Sequence, residues 1–184
     1  MKKQLLILFS LLLFLIATGC KETHCPAFPK AVADIYFPYT ENSVLVYTNS
    51  NGDTLTFTID FYELTGSYSF KRNCDCACEA GASFLTKREP ETLKMDGNII
   101  LFDNEAVIMV YVYNNNGSND FHVGIDGINP FSSENVRLFG DTIYMKQQTN
   151  KHFTDMQLIA GKGITRFFDK GRDCEWVLVE DFTD

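Results

Sequence analysis

Beyond its first twenty residues the chain has no apolar run approaching the roughly 20 residues a membrane-spanning helix needs, so no later segment is expected to cross a bilayer as a helix. Histidine is scarce: His24, His122 and His152 stand alone, with no HExxH or His-x-His spacing. No serine occupies a Gly-x-Ser-x-Gly elbow, which removes support for an α/β-hydrolase. Positive charge is also in deficit. With Lys2 and Lys3 set aside, 14 basic residues face 24 acidic ones, a net charge of −10. Such a surface argues against nucleic acid and against binding anionic lipid headgroups.

What the chain does carry begins at its first residues. Lys2 and Lys3 precede an apolar run from Leu5 to Ala17, broken only by Ser10. At about 13 residues, or ~20 Å as a helix, the run is too short to span a core of ~30 Å and has the form of a secretory signal. Ala17-Thr18-Gly19-Cys20 closes it. This ending resembles the lipobox of bacterial lipoproteins. The resemblance implies cleavage after Gly19, a diacylglycerol thioether on Cys20 and palmitate-type acylation of the new N-terminus. Two or more acyl chains give stable anchoring, which explains how a chain without a spanning helix would be held at a membrane. The expected place is the cell envelope at the outer membrane, on its periplasmic or its surface face. The expected organisation is a signal peptide over 1–19, a tether and lead-in loop over 20–41, and one β domain over 42–184.

Within 20–41, Pro26, Pro29 and Pro38 break any long element, and Ala31 to Ile35 is expected to form a helical turn. From Ser43 the pattern becomes period two. Leu55, Phe57, Ile59 and Phe61 alternate with Thr54, Thr56, Thr58 and Asp60, the signature of a strand with one buried face. Asn51-Gly52 and Asp96-Gly97 read as tight hairpin turns, Thr65-Gly66 as a further turn, and 114–120 as a polar loop. Residues 106–113 are apolar on both faces, as in a central strand. Asn129-Pro130 is expected to open a short helix through Val136. Residues 156–168 read as one long strand bent at Gly161 and Gly163, and 174–181 as the last strand, with the single tryptophan Trp176. About nine or ten strands joined by tight turns predict an all-β fold: an antiparallel meander curled into a barrel, half-barrel or two-layer sandwich, with one or two short helical turns.

Tyr36-Phe37-Pro38, then Tyr47 with Asn49-Ser50-Asn51-Gly52-Asp53-Thr54, and later Gly161-Lys162-Gly163-Ile164 and Trp176-Val177-Leu178, resemble small β-rich envelope lipoproteins. The resemblance touches both ends of the mature chain and implies an all-β fold with no established activity.

Five cysteines follow Cys20: Cys25, Cys74, Cys76, Cys78 and Cys174. In an oxidising envelope they are disulfide candidates. Thiols two apart on an extended strand sit with Cα atoms ~6.6 Å apart, near the limit for a bridge, and the outer pair lies beyond reach. Cys25 and Cys174 are therefore the expected partners of the cluster, leaving one of its three thiols reduced. A thiolate metal site on Cys74, Cys76 and Cys78, with Cys25 or His24, is one alternative, although one-residue spacing is tighter than structural zinc favours, and reduced packing thiols are the other. Tyr111 and Tyr113 are read as core or as a ligand-lining face. Glu89 with Glu91 and Glu180 with Asp181 read as solvated edges. No catalytic constellation, resident metal or cofactor is expected. The expected function is a non-catalytic, lipid-anchored envelope module binding a small apolar ligand or another envelope component. The alternatives are a structural subunit of an outer-membrane complex and, less favoured, an envelope enzyme.

Overall fold

The computed structural model describes residues 25–72, 75–86, 93–114, 117–132, 134–146 and 152–182. Among the described residues the secondary structure is one short helix, α1 (Lys30–Tyr36), followed by ten strands. In chain order these are β1 (Val44–Thr48), β2 (Thr54–Arg72), β3 (Asp75–Thr86), β4 (Lys94–Leu101) and β5 (Glu105–Asn114). After them come β6 (Gly117–Asp126), β7 (Thr142–Lys146), β8 (Phe153–Ile159), β9 (Gly163–Asp169) and β10 (Cys174–Phe182). All pairings are antiparallel in a single sheet of order β6-β5-β4-β3-β2-β1-β10-β9-β8-β7, which is nearly closed and barrel-like.

The order follows from connectivity. In a meander with an even number of strands the first and last run in opposite directions, so β1 pairs with β10 once the sheet curls, as Val44↔Phe182 and Thr48↔Val177. The open seam falls between β6 and β7, where the connection 127–141 is too long for a hairpin. Ile128, Phe131, Leu138 and Phe139 of that connection pack on the core. Phe121, Ile143 and Met145 are buried although they stand on the two edge strands.

Curvature comes from extra residues. Asp60 in β2, Thr165 in β9 and Val179 in β10 each have no partner in the ladder beside them, and bulges of this kind bend and twist a strand. Gly66 and Ser67 mark another irregularity within a continuous β2, so the turn expected at Thr65-Gly66 is a bulge inside one long strand. Asp96-Gly97 is likewise not a hairpin turn: β4 runs straight through it, with Gly97 opposite Phe84. A Cβ at Gly97 would sit 2.1 Å from the Phe84 ring, so glycine is here for close approach and not for turning. At 156–168 the relation is reversed. Gly161 and Gly163, both at positive φ, form the hairpin between two strands and not a bend within one. The stretch expected as a helix at 129–136 is made of turns among its described residues, and β6 takes up Gly117–Asp120 of the expected loop.

α1 is built from alanines, Val32 and an exposed i,i+4 pair, Lys30 with Asp34, and Pro38 stops it. Its buried face, Val32, Ala33 and Tyr36, packs into the barrel end together with Phe37 and Tyr39. Residues 28–39 thus belong to the core. Tyrosine hydroxyls fasten them in place. Tyr36 donates to the Gly140 carbonyl at 3.0 Å and accepts from the Phe139 N–H at 2.8 Å. Tyr39 accepts from the Ile164 N–H at 2.7 Å, and the Gly161 N–H reaches the Ile35 carbonyl at 2.7 Å.

Tyr62, on the part of β2 that runs past β1, is half-buried. Burial, and then the Asp34 carboxylate, push its phenol up to about 12 from the ordinary 10. The fold therefore favours the neutral phenol. Stability should hold below pH ~10 and fall between about 10 and 12, with Tyr36, also raised by burial, adding to the fall. Tyr62→Phe should flatten part of that decline in denaturant melts taken from pH 9 to 12. An unchanged slope would count against this environment.

Candidate binding face

The barrel interior is occupied by the chain's own rings. At the α1 end Phe84 meets Phe37 and Tyr39 edge-to-face, with centroids 4.9 and 5.0 Å apart. Deeper in, Tyr47 packs edge-on against Phe57 and Phe167 at 5.7 and 5.2 Å, and Phe153 lies 6.0 Å from Phe167. The Tyr47 hydroxyl donates to the Ile164 carbonyl at 2.8 Å. Trp176, 1% exposed, completes the packing, with the Arg172 guanidinium 5.8 Å from the centre of its ring.

Three of the four large exposed hydrophobic side chains among the described residues lie on one sector, the fourth being Phe61 of β2, 40% exposed. Tyr144 of β7 is 67% exposed, and Val177 and Val179 of β10 are 43% and 53% exposed. The two valines line a groove of about 540 Å³ across β8–β10, together with Gln157, Ile159, Lys162, Thr165 and Arg166. A second hollow of about 230 Å³ adjoins it, sharing Gln157 and Arg166 and adding Tyr144 and Glu175. Local structure fixes the polar groups on this face. The register sets Gln157 opposite Arg166, and the bulged Thr165 turns its hydroxyl to the Gln157 carbonyl and side-chain oxygen at 3.3 and 3.2 Å. Gln157 in turn donates to the Tyr144 hydroxyl at 3.0 Å. Arg166 pairs with Glu175 across the β9–β10 ladder, and that carboxylate raises the guanidinium's affinity for its proton. The arrangement can hold an apolar group beside a fixed plus–minus pair. It offers no nucleophile and base.

The residues singled out from sequence fall elsewhere. Cys25 and Cys78 form a disulfide, with Cα atoms 5.4 Å apart. Cys174, expected as a second bridge, is a buried free thiol with the Asn49 side-chain amide 3.7 Å from its sulfur. Three ladder steps separate β10 from β3, ~14 Å across the sheet, which puts the cluster beyond its reach. Cys76 pairs in register with Lys71; Cys20, Cys74 and His24 lie outside the described residues, as do Glu89 and Glu91. No group of three or more potential metal ligands occurs among the described residues. His122 is exposed, 3.9 Å from Asp120, and His152 accepts the Lys170 N–H through its carbonyl. Tyr111 and Tyr113 are not core. They stack on one another, half-exposed on the outer face of β5, where Lys94 lies over Tyr113. The outward residues of β5 are only partly covered, so it is a one-sided strand and not one buried on both faces.

No family model, curated protein or solved structure matches the chain. Function is therefore argued from the face itself. Its members were readable in part: alternation in Thr142–Lys146 puts Tyr144 outward, and alternation in Cys174–Val179 does the same for Val177. The sequence held no signal that the two strands share one sector, because that depends on strand order.

Proposed function

We infer that this protein is a non-catalytic binding module of the cell envelope, anchored by lipid on Cys20, and that it engages another envelope component along the outer face of β7–β10. The observation that carries the reading is the contrast between the two sides of the sheet. The inside is filled by Tyr36, Phe37, Tyr39, Phe84 and the rings around Tyr47, whereas Tyr144, Val177 and Val179 stay exposed around a groove. An exposed apolar strip with a polar rim is the ordinary make-up of a recognition surface. The lipobox-like Ala17-Thr18-Gly19-Cys20 and the absence of a long apolar run after it support the anchor and the location.

Replacing Val177 and Val179 together by aspartate tests it. Both side chains are about half exposed, so the loss of strand propensity should cost about 1 kcal/mol per site and leave the domain folded. With a photo-reactive residue in place of Tyr144, the protein in its own envelope should form a discrete crosslink that this double substitution abolishes. A crosslink that survives the double substitution undiminished would show that the exposed valine strip does not carry the binding.

A further inference from the structure

The sheet places its one disulfide among the described residues where the two longest strands leave the barrel. β2 pairs with β1 only over Thr54–Thr58, and β3 pairs with β4 only over Ala80–Leu85. Beyond these spans the register runs Tyr68↔Glu79, Ser69↔Cys78, Phe70↔Ala77, Lys71↔Cys76 and Arg72↔Asp75, with β2 and β3 having no other ladder partner among the described residues, while at the base the Cys78 N–H donates to the Asp103 carboxylate at 3.1 Å. They form a two-stranded ribbon standing off the sheet. Cys78 lies near its base and is bonded to Cys25.

Four residues, or five Cα–Cα steps, link Cys20 to Cys25. Whatever its conformation, such a segment spans at most ~18 Å. A domain of about 160 residues has a radius of gyration of ~15 Å and is therefore wider than this tether is long. Once Cys20 is seated in a bilayer, the disulfide cannot be farther than that from the surface. The domain cannot turn the opposite end of the barrel to the membrane while the bridge is intact. From the Ser69↔Cys78 pair to the Arg72↔Asp75 pair the ribbon advances three residues, ~10 Å, comparable with the depth of a headgroup layer.

We propose that the β2–β3 ribbon is the membrane-facing end of this protein and that its Tyr68–Arg72 segment contacts the lipid headgroup interface. The proposal rests on lipid anchoring at Cys20. Composition supplies the second argument. Within five residues the segment holds Tyr68, Phe70, Lys71 and Arg72, aromatic and cationic types enriched at bilayer interfaces; with Asp75 and Glu79 on the paired strand the ribbon is neutral in a chain whose net charge is otherwise strongly negative. The groove on β8–β10 lies about halfway round a ten-strand sheet from β3, so ribbon and groove can be occupied at the same time.

The test uses the full chain in its own membranes, with a benzophenone amino acid replacing Phe70 or, as a comparison, Tyr144. Irradiation followed by mass spectrometry reads the adducts, and the N-terminal peptide reads acylation. Phospholipid adducts at position 70 and none at position 144, on acylated protein, are the expected result. Acylated protein that yields no phospholipid adduct at position 70, or protein adducts there instead, would overturn the ribbon's orientation and leave anchoring intact. An N-terminus without acyl mass would overturn both. The outcome at position 70 is checked again with the benzophenone in place of Tyr68, so that one unproductive geometry does not decide it.

Discussion

Replacing Cys25 and Cys78 together by serine is expected to destabilise the domain by about 4 kcal/mol. The bridge closes a loop with a sequence separation of 53, and on the chain-entropy relation a loop of that length restricts the unfolded chain by that amount at 25 °C. For a domain of this size each kcal/mol moves the melting temperature by roughly 2–4 °C, so a fall of about 8–16 °C should follow. Reductant should produce the same fall in the wild type and none in the double variant. The first region to loosen should be 25–39, since the bridge ties the chain ahead of α1 to β3, and Phe28, Val32 and Tyr36 would then be held by packing and hydrogen bonds alone. Hydrogen exchange at Phe37 and Ile164 would report it, because the first amide bonds the Ala33 carbonyl and the second the Tyr39 hydroxyl. A melting temperature unmoved by both serine substitution and reductant would show that the bridge does not constrain the fold.

Gly97→Val should cost as much for a different reason. The added Cβ would lie 2.1 Å from Cε1 of Phe84, far inside any tolerable contact. β4 is held on both sides by β3 and β5, so its backbone cannot retreat, and the Phe84 ring must leave. That ring is buried against Phe37 and Tyr39, and losing its packing is comparable to a Phe→Ala change, about 3–5 kcal/mol. The double-mutant cycle is the sharper test. Once Phe84 is alanine, Gly97→Val should cost less than ~1 kcal/mol, since valine is at home in a strand and its obstacle is gone. Additive effects of the two changes would refute the contact.

The period-two runs made the all-β class legible, and the last strand, expected over 174–181, was readable almost to the residue, because alternation reports one buried face directly. Glycines were misread wherever their role depends on a distant partner. Gly97 follows an aspartate as a hairpin turn would, yet it serves a ring on the neighbouring strand. Gly163 sits at φ +74 with the Tyr39 hydroxyl where a Cβ would be, so it forms a turn and receives the α1 segment at once. Cysteine pairing failed at Cys174 on similar grounds. Spacing along one strand excluded bridges within the cluster, but only strand order shows that β1 and β2 stand between β10 and β3. The binding face was legible strand by strand and not as a unit. Tyr144, Arg166 and Val177 are far apart in sequence, and curvature from the bulged Thr165 and Val179 helps bring them to two adjoining hollows that share Arg166.

The most direct measurement of the central claim, a filled barrel that binds on its outside, is native mass spectrometry of the protein taken from its own envelope without reductant. The expected mass is the chain from Cys20 with its acyl groups and the Cys25–Cys78 bridge, carrying no small apolar molecule in the lumen. A small apolar ligand retained at one per chain, and retained equally by the Val177→Asp, Val179→Asp variant, would contradict it.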